Sequence, residues 1–402
     1  MSDLCHAGVT ALNVSAGEEP RVILTKDVIP HTLSEAAAMA DRLERAIPED
    51  RRSESVRMLL SIARQESLGA QSGWFGPAQS TFDFGSLVRR WGPAPEGGFS
   101  IDSLADPVDW LVRLDRNQDG RLTAGDLDWS DENAWVQQSY VANRFFRRLN
   151  RHGDGQLTAP EWQAFFDTAR CDAVSLSFEA FRDALIGSGP TGGLRPGDVP
   201  SAEALLIGLA NGELGSLQEG PRPGETAPDF SLPLLEGTGS LALSSLWGDR
   251  PTVLVFGNYT CGPFRSMYPG VEAVANRFRD RANCLWVYVR EAHPCNGWCM
   301  SSNDTAGIHV EQPLDNAARM EIAKACRDRL QPTIPVVVDS VDDVVGDQYS
   351  AMPARLYVLD KAGQVTYQSG RGPFGFKVGE MEQALVLTLL DDLPLPSPQP
   401  IA

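Results

Sequence analysis

Val253-Leu-Val-Phe-Gly-Asn-Tyr-Thr-Cys-Gly-Pro-Phe264 is the segment from which the architecture of the C-terminal half can be predicted. Its apolar run predicts a buried strand, and Pro263 suits the first turn of a following helix, where no N–H donor is needed. Cys261 is then expected at the helix N-terminus, where unpaired N–H groups and the helix dipole favour a thiolate. We interpret Cys261 as a nucleophile, with an inert buried cysteine as the alternative.

The residues around this segment indicate an α/β domain. Phe264 stands where a C-x-x-C dithiol motif places its second cysteine, so Cys261 acts alone or with a distant partner. This strand and its helix alternate with further elements, which predicts an α/β sandwich with a mixed sheet. Pro353, directly before a strand, is a candidate for a cis peptide bond facing the cysteine. The further elements are β-rich runs at 284–289, 334–339, 355–360 and 364–368 and a helix over 314–330.

Three separated motifs, in the same order along the chain, resemble one family of thioredoxin-fold proteins. Residues 256–264 are similar to the active-site segment of the iodothyronine deiodinases, with Cys261 where those enzymes carry selenocysteine. Residues 288–298 resemble their glutamate–alanine–histidine loop. The stretches 336–339, 353–358 and 372–374 resemble their C-terminal half. The segment from about 220 to 393 therefore resembles a thioredoxin-fold redoxin of the iodothyronine deiodinase type.

The resemblance implies a role for several residues. Cys261 is the expected nucleophile and His293 its acid/base partner, while Glu291 orients the histidine loop. The near-neutral intrinsic pKa of histidine independently suits His293 for proton transfer. Arg355 is expected to hold substrate or to stabilise the thiolate, and a structural salt bridge is the alternative for both Glu291 and Arg355. Thr260, adjacent to Cys261, is also predicted to be one of the catalytic residues.

Substrate contacts are expected from Tyr259, Phe264, Trp298 and Pro353. Glu311 stands where the family has a histidine near the phenolic end of the hormone, and an acid there is a poor partner for an iodophenolate. This departure argues against thyroid hormone as the substrate. It leaves thiolate attack, followed by resolution with a second thiol, as the general chemistry.

Cys295 and Cys299 lie in the same predicted loop as His293. Either thiol could resolve Cys261 through a disulfide, and the alternative is that both are ordinary loop cysteines. A third interpretation joins His293, Cys295 and Cys299 as metal ligands, but this set lacks a fourth ligand.

A second constellation lies in the N-terminal half. Asp115-Arg-Asn-Gln-Asp-Gly-Arg-Leu-Thr-Ala-Gly-Asp126 is in register with an EF-hand loop, and Gly120 occupies the sharp turn at its sixth position. Calcium prefers six to eight oxygen ligands, which explains the alternation of acids and amides. The predicted ligands of this first loop are Asp115, Asn117, Asp119, Arg121 and Asp126.

A second loop, Asn150-Arg-His-Gly-Asp-Gly-Gln-Leu-Thr-Ala-Pro-Glu161, starts 35 residues after the first. It carries fewer carboxylates, so it is expected to bind calcium more weakly or to serve mainly by pairing with the first loop. Residues 101–186 thus resemble an EF-hand pair. The predicted ligands of the second loop are Asn150, His152, Asp154, Gln156 and Glu161.

The 402 residues are expected to form a multidomain protein. Its fold class is an all-α EF-hand N-terminal half plus an α/β thioredoxin-like C-terminal domain with a mixed sheet. The predicted parts are a helical region over 1–100, the EF-hand pair over 101–186, a linker and helix over 187–219, the redoxin domain over 220–393 and a flexible tail over 394–402.

Composition narrows the partners and the compartment. The net charge of −18 argues against binding to nucleic acid and to anionic membranes. Residues 1–30 show neither a basic start nor a long apolar run, so no signal peptide or membrane span is expected. Seven cysteines, one of them poised to react, suit a reducing compartment. A cytoplasmic location is the simplest expectation.

Two functional hypotheses follow. In the first, a thiol-dependent oxidoreductase uses Cys261 to attack a halogen, a peroxide oxygen or a disulfide sulfur of a small-molecule electrophile, with His293 handling the proton. An external thiol reductant of the thioredoxin or glutathione type regenerates the enzyme, and Ca²⁺ binds the N-terminal half. A homodimer is one of the assemblies considered. In the second, the chain is a calcium-responsive interaction protein whose redoxin domain is catalytically silent.

Overall fold

The computed structural model describes residues 10–11, 22–66, 77–104, 106–130, 132–186, 198 and 200–395. Most of the predicted linker before Asp198, the predicted tail after Leu395 and Cys5 lie outside these residues. The helices are α1 Leu33–Ala46, α2 Glu54–Ala63, α3 Phe84–Trp91, α4 Val108–Leu114, α5 Ala134–Leu149, α6 Ala159–Arg170, α7 Phe178–Ile186, α8 Ala202–Asn211, α9 Gly262–Phe278, α10 Ser301–Thr305, α11 Asn316–Leu330, α12 Val344–Gln348 and α13 Val378–Asp391.

The strands are short in the N-terminal half and longer in the C-terminal half. Short 3-10 helices at Lys26–Val28, Glu49–Arg51, Ile101–Ser103 and Leu243–Leu246 join some of them. The strands are β1 Thr10–Ala11, β2 Val22–Ile23, β3 Gln79–Ser80, β4 Phe99–Ser100, β5 Arg121–Leu122, β6 Ser231–Pro233, β7 Ser240–Ala242, β8 Thr252–Gly257, β9 Asn283–Tyr288, β10 Val336–Val338, β11 Arg355–Leu359 and β12 Val365–Gln368.

The main sheet has the strand order β10-β9-β8-β11-β12-β3. β8 and β9 run parallel, as do β9 and β10, while β11 is antiparallel to both β8 and β12. The prediction of a mixed sheet in a thioredoxin-like domain is therefore confirmed. Each predicted β-rich run contains a strand of this sheet, in keeping with its β-branched and aromatic residues and with the turn residues around it.

Both faces of β8 are covered, which explains why its sequence is continuously apolar. Side chains alternate across a strand, so Val253 and Val255 face one core while Leu254 and Phe256 face another. The first core lies under α9, α11 and α13, and the second lies under α12 and residues 227–243. The strand is thereby held rigidly at the point where it enters the loop that carries Cys261.

The N-terminal half packs into the same body. β3 extends the main sheet beside β12, and Leu87, Trp110 and Leu114 belong to the core that lies under α9. Helices α1 and α2 form a further core with α8. Residues from the predicted N-terminal region thus share cores with the redoxin domain and with the predicted linker helix.

The two predicted calcium loops do not pair with each other. β5, inside the first loop, pairs with β4, and the chain then makes a turn before α5 begins. The second loop is joined directly to α5 and α6, and Thr158 caps α6 through a reciprocal capping box with Glu161. Helices α4, α5 and α6 flank the two loops. The expectation that the second loop pairs with the first is wrong, because Phe99 and Ser100 of β4 occupy the strand position beside β5.

Candidate active site

Cys261 lies where the sequence places it, between β8 and the first turn of α9. Its side chain is 1% exposed. The Asn258 side chain fixes this loop, since Oδ1 accepts hydrogen bonds from the backbone N–H groups of Cys261 (3.0 Å) and Ala292 (3.2 Å). Asn258 Nδ2 donates to the carbonyl oxygen of Pro353 at 2.9 Å. One buried amide therefore joins the cysteine, the histidine loop and the proline, and sequence reasoning did not single it out.

The electrostatic state of the thiol differs from the expectation. Burial raises the pKa of Cys261 to about 11, against a lowering by the Phe264 N–H and by the charges of Arg265 and Arg147. The helix N-terminus does act on the thiol through Phe264, but desolvation of the charged form is the larger effect. The prediction of a ready thiolate is wrong for this conformation, in which Cys261 is protonated at neutral pH.

His293 is held with one ring nitrogen committed. Its Nδ1 lies 3.1 Å from the carbonyl oxygen of Trp298, which can only accept, so Nδ1 carries the proton and Nε2 carries the lone pair. The two rings pack edge to face at 4.8 Å. Burial lowers the pKa of His293 to about 4. The neutral imidazole with a free lone pair on Nε2 is the form that accepts a proton.

Glu291 and Thr260 join the cysteine loop to the histidine loop. The buried Glu291 carboxylate accepts hydrogen bonds from Thr260 N (2.8 Å), Thr260 Oγ1 (2.7 Å) and the hydroxyl of Tyr288. Thr260 Oγ1 in turn accepts from the backbone N–H of His293 at 3.0 Å. Burial raises the pKa of Glu291. This geometry fits the orienting role that the resemblance implies for Glu291, and that role stays a prediction.

Cys261 and His293 line one large cavity of about 1550 Å³. Trp298 and Pro353, two of the predicted substrate contacts, also line it. The rest of the wall comes from both halves of the chain, so the helices of the N-terminal half shape the space in front of the thiol. The further lining residues include Met58, Ile62, Trp135, Val136, Arg147, Arg148, Arg371 and Phe374.

Two other predicted substrate contacts lie in the protein core. Phe264 is fully buried, with ring centroids 5.2 Å from Trp286 and 5.7 Å from Phe376. The Tyr259 ring is buried under the guanidinium of Arg329, at 5.8 Å. Neither residue is among the described residues that line the cavity. Their assignment to substrate binding is wrong, because the position two before the cysteine and the one three after it both face inward.

Arg355 is held in a buried ion pair away from the described cavity wall. Its Nη2 lies 2.7 Å from Oε1 of Glu54 in α2, and its Nε donates to the carbonyl oxygen of Ser369 at 3.0 Å. Arg371 shares the same carboxylate at 3.1 Å and does line the cavity. The salt-bridge alternative describes Arg355, and no local pattern pointed to Glu54, which is 301 residues away in sequence.

Cys295 and Cys299 are free, exposed thiols on the histidine loop. The Cys299 thiol lies 3.0 Å from the carbonyl oxygen of Cys295, and neither residue is among those described as lining the cavity. A resolving role for either thiol stays a prediction. The His293–Cys295–Cys299 metal hypothesis has no support, since the part of the chain that the structure describes holds no group of three or more His, Cys, Asp or Glu arranged for a metal ion.

The same finding applies to both predicted calcium loops. In the first, the Asp115 carboxylate accepts from the N–H groups of Asp119 and Gly120, and Asp126 turns back to accept from Arg116 and Thr123. These bonds between the carboxylates and the backbone fix the curvature of the loop. Asn117 and Arg121 join it through Asp119, to which the Asn117 amide and the Arg121 N–H donate. Calcium binding here stays a prediction.

In the second loop the predicted ligands are engaged with one another. Glu161 accepts from the backbone N–H of His152 at 3.1 Å and contacts its ring at 2.9 Å. The Asn150 amide donates to Asp154 at 2.8 Å and to the carbonyl oxygen of Gln156 at 2.6 Å. This amide therefore turns its NH₂ group, rather than an oxygen, toward two of the predicted ligands. The fit of the second loop to calcium is correspondingly poorer than that of the first.

The mixed sheet and the cysteine at the start of α9 define a thioredoxin-like redoxin domain. Residues 203–387 match the iodothyronine deiodinase family, so this part of the chain is deiodinase-like. The thyroxine 5-deiodinase of Gallus gallus is 36% identical over 159 residues, which cover 39% of this chain and 60% of that protein. The human type II iodothyronine deiodinase is 24% identical over 232 residues, which cover 57% of this chain and 78% of that protein.

The chain thus spans about 60% of the length of the chicken relative, and the same share of the type I iodothyronine deiodinase of Xenopus laevis. Among solved structures, a thiol:disulfide interchange protein DsbE from Chlorobium tepidum matches 42% of this chain and 99% of its own, with 19% identity and a TM-score of 0.31. At that score the likeness adds nothing to the topology described above. None of the helices in the described residues has the length and apolar character needed to cross a bilayer.

Proposed function

We propose that the chain is a thiol-dependent oxidoreductase of the deiodinase type, with Cys261 as nucleophile and His293 as its proton acceptor. The observation that supports this most directly is that both side chains line one cavity while Asn258 bonds to the backbone of both loops. An inert core cysteine needs neither a histidine with an available lone pair nor a cavity of this size.

The chemistry begins with a protonated thiol and a neutral imidazole. When a halogenated substrate occupies the cavity, Nε2 of His293 takes the thiol proton and the sulfur attacks the halogen. The S–halogen bond forms as the carbon–halogen bond breaks, its electron pair stays on carbon, and the His293 imidazolium returns its proton to that carbon. Carbon is reduced, and Cys261 is oxidised to a sulfenyl halide.

A second thiol restores the enzyme. It displaces halide from Cys261 to form a disulfide, and a further thiol from a thioredoxin- or glutathione-type reductant exchanges with that disulfide to release the Cys261 thiol. Cys295 and Cys299 are the proposed resolving thiols, since both lie on the histidine loop. With a peroxide, Cys261 becomes a sulfenic acid as water leaves, and the second thiol then displaces a second water to form the disulfide. With a disulfide substrate, Cys261 forms a mixed disulfide directly as one substrate thiol leaves, and the reductant thiol exchanges with that disulfide.

The cavity wall favours an aromatic substrate that carries negative charge. Trp135 and Trp298 supply flat apolar surface, and Arg148 supplies positive charge. Halogenated phenols combine these two properties. The class is proposed from the wall alone, and the position of Glu311 argued above still disfavours thyroid hormone itself.

One observation favours the second hypothesis, a silent redoxin domain in an interaction protein. The pKa of Cys261 is raised to about 11 by burial, whereas working catalytic cysteines generally carry lowered values. The two hypotheses differ in what happens when substrate arrives. An enzyme forms its thiolate with substrate bound, while a silent domain leaves Cys261 protonated and unreactive.

Turnover assays on matched variants separate the two hypotheses. Reductive dehalogenation of iodophenols, with dithiothreitol as the reductant, is measured for wild type, Cys261→Ser, His293→Gln and the control His309→Gln, whose ring is exposed. We expect Cys261→Ser to be inactive, His293→Gln to lose about 10²–10⁴-fold in rate and the control to match wild type. Activity that survives Cys261→Ser would contradict the proposed nucleophile, and no turnover of phenols, peroxides or disulfides by wild type would favour the silent domain.

A further inference from the structure

Arg265, one helical turn after Cys261, is a cation buried inside the proposed active site. Its side chain is 1% exposed. In the part of the chain that the structure describes, no carboxylate lies within ion-pair distance of its guanidinium. Burying a guanidinium without a counter-charge is costly, and proteins seldom retain one unless it has a task.

Among the described residues, the guanidinium donates to three neutral oxygens, and two of these contacts lead to the reactive loops. Nη1 donates to the carbonyl oxygen of Tyr259, two residues before the cysteine, and Nη2 donates to Oδ1 of Asn303 at 2.9 Å. Asn303 Nδ2 donates in turn to the carbonyl oxygen of Thr260 at 2.9 Å and to that of His293 at 3.5 Å. Arg265 therefore holds the backbones of both reactive loops.

The third oxygen comes from the N-terminal half. Arg265 Nε donates to the carbonyl oxygen of Gly153 at 3.0 Å, inside the second predicted calcium loop. Two residues on, Gly155 has a φ of +77°, and a Cβ there would lie 2.5 Å from the carbonyl oxygen of Arg265 and 2.6 Å from Pro269. Only glycine allows the loop to press this closely on α9.

We propose that Arg265 is a positioning residue that supplies the charge for the Cys261 thiolate, and that loop 150–155 of the N-terminal half holds it in place. The inference rests on the proposed function, in which Cys261 must become anionic. The positive charge of the Arg265 guanidinium is then balanced when the Cys261 thiolate forms, which explains why a buried cation is retained beside this thiol. The loop lies outside the segment that matches the deiodinases, so this contact is an addition to that domain.

Other charged and titratable groups also act on this thiol. Arg147 of α5 adds positive charge, whereas Glu291 opposes a second negative charge. The buried thiol of Cys326 in α11 interacts electrostatically with Cys261, Arg265 and Arg329. His293 lines the same cavity as Cys261. Arg265 donates both to the backbone of the cysteine loop, at Tyr259, and to Gly153 in the loop of the other half, while Arg329 donates to His152 in that same loop.

The experiment follows alkylation of Cys261 by iodoacetamide against pH, with the modified peptide quantified by mass spectrometry. We compare wild type with Arg265→Gln, Arg265→Lys and Arg277→Gln, the last being a half-exposed arginine of the same helix paired with Glu382. We expect Arg265→Gln to shift the titration midpoint to higher pH by one unit or more, lowering the rate in the unsaturated range about tenfold or more. Arg265→Lys, which keeps the charge, should stay close to wild type in midpoint, and Arg277→Gln should be unchanged.

A second variant tests the loop without touching the arginine. Gly155→Ala forces loop 150–155 away from α9, and Gly125→Ala in the first predicted calcium loop is its control, since a Cβ there finds ordinary contact distances. Gly155→Ala should shift the alkylation midpoint in the same direction as Arg265→Gln. Thermal unfolding and circular dichroism identify any variant that fails to fold. If Arg265→Gln does not fold, the proposal is tested with Arg265→Lys and Gly155→Ala.

An unchanged midpoint in folded Arg265→Gln overturns the proposal, and so does an equal shift in Arg265→Lys, because geometry alone would then account for the effect. An unchanged midpoint in Gly155→Ala overturns the role of the loop. These outcomes are distinct from failure of the proposed function. The alkylation midpoint is measured without substrate, whereas the proposed function fails when Cys261→Ser remains active or wild type turns nothing over.

Discussion

Cys261 and His293 are both neutral in the resting site, and that state suits a buried enzyme thiol that must not react prematurely. Burial raises the pKa of the thiol to about 11 and lowers the pKa of the imidazole to about 4, so each group is pushed away from its charged form. Charge appears only when the proton moves from sulfur to Nε2, and the resulting thiolate and imidazolium stabilise each other. Arg265 then provides a fixed positive charge on the side of the cysteine loop.

The lowered pKa of His293 has a consequence for stability that can be measured. Its pKa of about 4 lies below the value of about 6.5 in an unfolded chain, so the unfolded state binds more protons between these pH values. The free energy of unfolding therefore falls as pH decreases from about 6.5 toward 4. Urea unfolding at about pH 7 and pH 4.5 should show a loss about 2 kcal/mol smaller in His293→Gln than in wild type.

The exposed His309 is the control for this measurement. His309→Gln should follow wild type at both pH values, because its ring is largely in solvent. An equal acid-induced loss in wild type and His293→Gln would show that His293 is not held neutral by its environment. Cys261 and His293 could be predicted from the sequence, but the burial that sets their pKa values depends on α5 and α9 meeting, which no local pattern encodes.

At the scale of elements, the strands were predictable and the loop pairing was not. β8 through β12 follow apolar runs that only a sheet covered on both faces can bury, so their order along the chain carried the fold. Helices α4, α5 and α6 flank the two loops, as the helix–loop–helix pattern of an EF-hand would require. That pattern could not show that β5 pairs with β4, because strand pairing depends on which backbone edge is nearby, and Phe99 precedes the first loop by 16 residues.

Calcium binding belongs to this scale, since the first loop carries more carboxylates than the second. We expect calorimetric titration with CaCl₂ to show one binding event, and saturating calcium to raise the melting temperature by mass action. Asp115→Asn should weaken that event strongly because the first position anchors the loop. Asp154→Asn, in the second loop, should change it little. The absence of both heat and a melting shift in wild type would contradict calcium as a ligand.

For the whole molecule, the N-terminal half is part of the same body as the redoxin domain. β3 extends the main sheet, Trp129 donates to Gln383 of α13 at 2.7 Å, and loop 150–155 presses on α9. The composition and the linker-like stretch around residue 190 suggested separate units. They could not reveal these contacts, which join residues more than a hundred positions apart and leave no period or motif in the sequence.

Glu54 provides the sharpest test of this joined architecture. Its buried carboxylate from α2 lies between Arg355 and Arg371, and although burial opposes ionisation, the two guanidinium groups hold the pKa of Glu54 below its usual range. Glu54→Gln leaves two buried cations without a counter-charge, so we expect the free energy of urea unfolding to fall by about 3–5 kcal/mol. The control is Glu44→Gln, which breaks a more exposed pair with Arg64 and should leave stability nearly unchanged. Equal stability of Glu54→Gln and wild type would mean that this ion pair does not fasten the N-terminal helices to the sheet, and the shared cavity wall would then rest on apolar packing alone.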